Sequence, residues 1–518
     1  MKTFIFAIGG TGSRVLRSLS FMLATGMQCL PDGCEIVPMI VDYDKHNGDK
    51  KRAVDNLELY CKIRDNAYAG YTAGEGERNF FLPDIMPLPG TGDFVFPLGV
   101  NAQSNTGSFA DALDYSNMMG ATTLTRDLLS SLYNDEPGKY AAEDGSMEDN
   151  SKAELNLDME KGFKGNPNIG CIVFEDIKED PAFAKFKSAY SAGDRIFIIA
   201  SVFGGTGSSG FPRIVDAIRS CGIAGLDTAP IGALLVMPYF KLDTPAGGAI
   251  FSNIFNSKQK AALHTYQTPD ANGNDLYSRI NRTYLIADDN PTLIPYSEGQ
   301  DTQKNNAHIL ELLGAFAVLD FIRQDAKGVA GMGQTFEYGL AEDKKGDAEL
   351  TIHNFAHSDQ TEYLDPLTRM ALAWKYFKDH VWSGNINPKS AYYSANGLDV
   401  GGMIDNGDLD DLAKYIDEFE EWLDELNNQK EAFRPFLHQP VDSESKLEVA
   451  EDLEDYINGK EGKKGGLFSG GTSFKDFDGY ASKYFKDYKG DIPNDLNLLL
   501  SIFYDSASDC MEHYTNIQ

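Results

Sequence analysis

The chain has 518 residues, room for two or three domains, with 42% hydrophobic content to fill their cores and a formal charge of −32. That acidic balance excludes a general binder of nucleic acid or anionic membrane, because both partners call for clustered Lys and Arg. Six scattered cysteines (Cys29, Cys34, Cys61, Cys171, Cys221, Cys510), with no Cys-x-x-Cys pair, fit reduced thiols in a cytoplasmic protein and exclude a zinc-finger pattern.

No window approaches the roughly 20 apolar residues of a membrane span, and no export signal is visible at the N-terminus. From Met1 to about Arg323, short apolar runs alternate with amphipathic stretches. This is the mark of an α/β domain with a mostly parallel sheet. The predicted strands are Thr3 to Ile8, Glu35 to Val41, Arg195 to Ser201, Ile231 to Met237 and Thr283 to Ala287. Helices are predicted to begin near Ser13, Ala182, Gly210, Asn256 and Lys304. The last of these, Asn305 through Phe321, is apolar nearly all round and should be a buried central helix. Between the second strand and Gly165, the stretch from about Lys45 reads as loops and insertions, polar and acidic over Asp135 to Lys161. Residues 324–518 form a mainly helical C-terminal domain, with helices expected over Pro366 to Trp382, Leu409 to Phe433, Ser445 to Ile457 and Asp495 to Tyr514. Lys460 to Gly471 reads as a flexible connector, and Trp374, Trp382 and Trp422 read as core.

Gly-Gly-Thr-Gly-Ser occurs twice, at Gly9 to Ser13 and Gly204 to Ser208, each time after an apolar strand and before a helical pattern. Glycine has no Cβ, so the backbone can take φ > 0 and approach a ligand, while the next helix aims free N–H groups at an anion. Two such devices in one domain form two walls around one polyphosphate. The first copy alone is compatible with a dinucleotide-binding turn, for which Asp42, ending the second strand, supplies the acidic residue. That reading leaves the second copy unexplained.

Asp194 to Gly210 resembles the signature of the tubulin/FtsZ superfamily, a strand followed by a Gly-Gly-Thr-Gly-Ser/Thr-Gly phosphate loop, here with one extra Ser. Gly165-Asn166-Pro167-Asn168-Ile169-Gly170 resembles the family's Ala-Asn-Pro-Glu-Ile-Gly loop, which closes over the terminal phosphate. The resemblance covers residues 1–323. It implies phosphate contacts from Gly9, Gly10, Thr11, Gly12, Ser13, Asn166, Gly204, Gly205, Thr206, Gly207 and Ser208, with the first loop running on to Arg14. It implies ribose or base contacts from Asp42 and Asp44 after the second strand, from Asn290 or Asp289 after the Leu285-Ile286-Ala287 strand end, and from Asn305 or Asn306 at the head of the central helix. Leu235 to Phe240 resembles the strand whose following loop touches the ribose.

The resemblance implies a GTP- and GDP-binding cytoskeletal protein, with Mg²⁺ as the only metal, that self-assembles into filaments and hydrolyses the terminal phosphate at a site shared between subunits. The family's Asn-x-Asp-x-x-Asp loop is not found after Phe321, and its ferredoxin-like second domain is replaced by helices, so no catalytic residue is assigned. Two further readings stand beside the GTPase. One is a non-hydrolysing, nucleotide-gated module that binds a protein partner through the helical C-terminal domain. The other is a Rossmann oxidoreductase using NAD.

Overall fold

The computed structural model describes residues 1–27, 29–71, 77–96, 109, 157–245, 250, 252–288, 291–297, 303–338, 349–394, 397–430, 432–433, 435 and 474–515. The helix expected over Ser445 to Ile457, the connector at Lys460 to Gly471, and both Asp289 and Asn290 lie outside these residues.

Strand β1 (Lys2–Ile8) runs into helix α1 (Gly9–Ala24), and β2 (Glu35–Val41) is followed by α2 (Gly48–Ala67) and the short β3 (Asp84–Ile85). Helices α3 (Pro167–Val173) and α4 (Pro181–Ala189) lead to β4 (Arg195–Ser201), and α5 (Gly205–Arg219) follows it. Next come β5 (Ile231–Val236), β6 (Phe240–Asp243), α6 (Phe255–Gln267), β7 (Arg282–Ile286), β8 (Thr292–Pro295), the central helix α7 (Ile309–Arg323) and β9 (Gln334–Glu337). Seven strands form one sheet in the order β3-β2-β1-β4-β5-β7-β9, every neighbouring pair parallel. A separate parallel pair joins β6 to β8, with Phe240 opposite Thr292.

Parallel strands must be covered on both faces, and the period-two pattern of β1 shows how. Ile5 and Ala7 point into one core with α1, α2 and α7, whereas Phe4, Phe6 and Ile8 point into another with Phe183 and Phe186 of α4 and Ile214 and Ile218 of α5. The result is a three-layer α/β/α arrangement. Helix α7 is buried along its whole length except Arg323, and Gly314 lets it sit close to the sheet: a Cβ there would lie 2.8 Å from Leu234 and 3.2 Å from Val15.

Several expectations are corrected. Helices α1 and α5 start at Gly9 and Gly205, not near Ser13 and Gly210, so both Gly-rich segments are the first turns of helices. The central helix starts at Ile309, because His308 caps it in a reciprocal box with Glu311, and Asn305 and Asn306 precede it outside any helix or strand. Helix α2 stands where loops were expected. Asn47 caps it by accepting from the N–H groups of Asp49 (2.9 Å) and Lys50 (3.1 Å), and Ala53, Leu57, Tyr60, Ile63 and Ala67 form its buried stripe. Charged residues between those positions dilute the apolar signal. All six cysteines are free.

After β9 the described chain is mainly helical: α8 (Asp365–Tyr376), α9 (Asp410–Asn427), α10 (Phe474–Tyr488) and α11 (Asp495–Thr515). These helices share the core of α1, α2 and α7. Phe21 of α1 packs against Tyr415, Phe419 and Trp422 of α9 with ring centroids 5.1 to 5.6 Å apart, and the Trp422 indole N–H donates to Ser18 Oγ at 3.1 Å. Trp374 and Trp422 are buried as expected, whereas Trp382 is 36% exposed.

Charge also fastens α9 to the sheet layer. Glu425 accepts from Arg17 at 2.7 Å, from Arg52, and from the Ala307 backbone N–H at 2.9 Å. Removing one partner of a buried ion pair leaves an uncompensated charge at a cost of about 3–5 kcal/mol. Glu425→Ala takes one carboxylate from both Arg17 and Arg52, which keep Glu418 at 3.7 Å and Asp49 at 3.2 Å, so a loss toward the lower end of that range, about 3 kcal/mol, is expected in chemical denaturation. A variant as stable as the wild type would show that this joint does not hold the helix.

Candidate functional site

The strand order reverses direction between β1 and β4, the chain building outward to β2 and β3 on one side and to β5, β7 and β9 on the other. Open α/β sheets bind ligands beyond the carboxyl ends of the strands at such a switch point. The two Gly-Gly-Thr-Gly-Ser segments stand at those ends. They touch: Gly9, at φ +70°, is placed so that a Cβ would lie 3.4 Å from Thr206 Cβ.

Within each copy the positions divide the work in the same way. A Cβ on Gly12 would lie 2.6 Å from the Ala7 carbonyl carbon, and one on Gly207 2.6 Å from the Ser201 carbonyl oxygen, so the fourth residue presses each helix onto its own strand. Ser13 Oγ donates back to the Gly9 carbonyl at 3.2 Å, and Ser208 Oγ does the same to Gly204. Neither α1 nor α5 has a side-chain cap, whereas α2 and α7 nearby are capped by Asn47 and His308. Two helix N-termini with uncapped N–H groups therefore converge, a combination that attracts anions.

A cleft of about 150 Å³, open to solvent at its mouth, lies over the two turns. Residues 161–165 supply a third wall, and Phe240, Leu242, Ile294 and Pro295 of the β6–β8 pair form an apolar side. Gly205 abuts the third wall, since a Cβ on it would lie 2.9 Å from Phe163 Cβ and 3.1 Å from the Asn166 nitrogen.

Beneath the cleft lies a buried polar cluster. Arg14 donates to Asp49 and Glu311, both at 2.6 Å, and to the Tyr239 hydroxyl, which itself donates to Glu311 at 2.6 Å. Burial opposes the charge on Arg14, but Tyr239, Glu311 and Asp49 outweigh it and hold the guanidinium protonated. Burial lowers the His308 imidazole to about 4, with Asp288 pulling the other way. Neutral His308 accepts from the Leu310 N–H through Nδ1 at 3.2 Å, which leaves the proton on Nε2, 3.8 Å from Asp288 Oδ2. At the end of β2, burial pushes the Asp42 carboxyl up to about 7, opposed by Lys50 and reinforced by Asp44.

Of the expected site residues, Gly9, Gly10, Thr11, Asp42, Asp44, Gly204, Gly205, Thr206, Gly207 and Asn305 all line this cleft. Gly12, Ser13, Asn166 and Ser208 do not, the first two and Ser208 being spent on helix packing and i−4 hydrogen bonds. Asn306 is exposed and outside the lining, and Asn290 falls outside the described residues. Asn305 is tied to Asp49, its N–H donating at 2.9 Å and its side-chain amide at 3.2 Å. The cleft also gathers Asn47, Lys161, Lys164 and Gln303, which motif reading missed. Lys164, between Phe163 and Gly165 just ahead of Asn166, was the one legible signal among them.

No protein-family model matches this chain, and no curated protein matches it either. Among the described residues no helix is long and apolar enough to cross a membrane, and no group of three or more His, Cys, Asp or Glu is placed to hold a metal ion.

The Asp42 shift has a definite sign. Its folded value of about 7 lies above the ordinary 3.8, so the folded state holds a proton that the unfolded state has lost between those pH values. Stability from this group is present below about pH 4 and lost as pH rises through 7. Asp42→Asn removes the penalty and can still accept the Asp44 N–H that Asp42 Oδ1 accepts at 3.2 Å. The melting-temperature advantage of the variant over wild type is therefore expected to grow from pH 5 to pH 8. A constant difference would place Asp42 in a wetter setting.

Proposed function

We propose that this chain is a nucleotide-binding protein of the tubulin/FtsZ type that takes a guanine nucleotide in the cleft above Gly9 and Gly204. The observation that carries the reading is the convergence of two uncapped helix N-termini, each with a Gly-rich first turn, on one cleft at the switch point of a parallel sheet. The contact between Gly9 and Thr206 favours a compact polyphosphate over an extended dinucleotide, whose two halves spread along the crevice. The apolar side from Phe240 to Pro295 suits the ribose and base, and Asp42, Asp44 and Asn305 offer polar contacts to them.

The donor set also fits Mg²⁺. Asp42 and Asp44 are the described carboxylates lining the cleft, and this ion usually binds one or two carboxylates together with phosphate oxygens and water. Bound there, the ion would neutralise phosphate charge. Hydrolysis would draw on the N–H groups of Gly10, Thr11, Gly205 and Thr206 to hold the terminal phosphoryl group, with a carboxylate from a neighbouring subunit to orient water. Nucleotide-dependent self-association belongs to the same reading.

A second reading, a nucleotide-gated interaction module without hydrolysis, is favoured by the ion-pair chain that leads from Arg14 at the cleft through Asp49 and Arg52 to Glu425 in α9. Steady phosphate release that grows more steeply than protein concentration distinguishes the assembling GTPase from this module.

The nucleotide itself is tested by thermal shift with GTP, ATP and NAD at equal concentration. A ligand that binds only the native state at 100 times its Kd adds about 2.7 kcal/mol, and GTP is expected to give the largest rise. A rise with NAD alone would sink the proposal. Gly10→Ala provides the control, since its methyl would meet only side-chain ends, Gln303 Nε2 at 2.9 Å first, and would project into the cleft. The variant is expected to melt like wild type without ligand and to lose the GTP-induced rise.

A further inference from the structure

Residues 303–307, between the cleft and the head of α7, form neither helix nor strand, and they bond instead to two other elements. On one side lies the first turn of α2. The Gln303 carbonyl accepts the Asp49 N–H at 3.0 Å, and Asn305 donates to the Asp49 carboxylate from its own N–H at 2.9 Å and from its amide at 3.2 Å. On the other side lies the end of α9. The Ala307 N–H donates to Glu425 at 2.9 Å, the Ala307 carbonyl accepts from the side chain of Gln429, just past α9, at 2.9 Å, and Lys304 pairs with Glu421 at 3.3 Å. Arg52 joins both sides, donating to the Asn305 carbonyl and to Glu425.

This strap begins inside the cleft. A Cβ on Gly10 would lie 2.9 Å from Gln303 Nε2, so the Gln303 amide stands over the uncapped first turn of α1, where Gly10 and Thr11 line the opening. An anion seated on that turn meets the amide, and an amide turns its NH2 to an anion. Holding Gln303 then holds the strap as well, because its carbonyl is tied to Asp49 and the residues that follow it are tied to Asp49 and Glu425.

We infer that the strap 303–307 links occupancy of the cleft to the seating of α9: a phosphate-bearing ligand on the first Gly-rich turn engages the Gln303 amide, fixes the strap and so fastens the end of α9. The inference rests on the nucleotide reading above and names a path by which a nucleotide reaches the C-terminal helices. Such linkage is reciprocal. The factor by which the ligand tightens α9 on the strap is the factor by which a loosened α9 weakens the ligand.

Calorimetric titration of the full chain with a non-hydrolysable GTP analogue and Mg²⁺, with hydrogen exchange followed on the same samples, tests it. In wild type the analogue is expected to slow exchange at Ala307 and at the end of α9, and to leave α10 unchanged. Gln303→Ala is expected to weaken the analogue about fivefold, the worth of one hydrogen bond, and to abolish the slowing at α9 even at saturation. Gln303→Glu keeps the size but presents a carboxylate to the phosphates, and is expected to weaken binding at least as much. Gln429→Ala lies outside the cleft and is expected to weaken the analogue about threefold, as substitutions do that alter coupling without touching the ligand. Wild-type affinity in Gln303→Ala or in Gln429→Ala, or bound wild type with unchanged exchange at α9, would overturn the inference and leave the nucleotide reading standing. Wild type that binds no nucleotide removes that reading, and the role of the strap with it.

Discussion

Arg14 is the residue on which the rest of the structure depends. It sits in the second turn of α1, is 5% exposed, and binds Asp49 of α2, Glu311 of α7 and Tyr239 beyond β5. Arg52 extends the set by bridging Asp49 to Glu425, and Arg17 meets Glu425 from the other side. Three guanidinium groups and three carboxylates thus neutralise one another across four helices. A buried charge is costly unless paired and hydrogen-bonded, and buried pairs seldom add net stability over apolar packing. What such a cluster adds is a fixed register: α1, α2, α7 and α9 can satisfy all six groups in one mutual arrangement, which is also the arrangement that opens the cleft.

The strands and both Gly-rich turns were legible in the chain because their signals are local. Glu35–Val41 and Arg195–Ser201 are short apolar runs bounded by turns, and their observed limits coincide with the predicted ones. The Arg14 cluster was not legible, since Arg14 and Glu311 are separated by 297 positions and nothing local marks them as partners. Helix α2 escaped notice because its stripe of Ala53, Leu57, Tyr60 and Ile63 is interrupted by charges that only the fold turns outward. Asn305 was expected at a helix head but precedes the helix, held by Asp49, because the capping box of His308 and Glu311 sets the start four residues later.

The repeated pentapeptide shows how one local sequence serves two tasks. Helix interiors disfavour glycine by roughly 1 kcal/mol relative to alanine, so three glycines in a first turn need a spatial reason. Gly12 and Gly207 answer to packing against Ala7 and Ser201, Gly205 to packing against Phe163 and Asn166, and Gly10 to the open cleft. The serines, which look like phosphate ligands in sequence, close each turn on itself. Sequence similarity between the copies thus reflects shared packing of helix onto strand at the fourth position, although the backbones differ at the first, Gly9 standing at φ +70° and Gly204 at φ −83°.

The contact of Gly12 with Ala7 has a mechanical side. Helix α1 cannot shift at its first turn without shifting as a body, since no flexible segment separates the turn from the rod. With a rise of about 1.5 Å per residue, the rod carries a displacement roughly 24 Å from the cleft. At its far end the Ala24 carbonyl accepts the Phe81 N–H at 3.0 Å, and the neighbouring Asn79 side chain donates to Asn497 and Ser501 of α11 at 3.0 and 2.8 Å. One rigid helix therefore joins the first Gly-rich turn, at the strand contact, to the hydrogen bonds that reach α11.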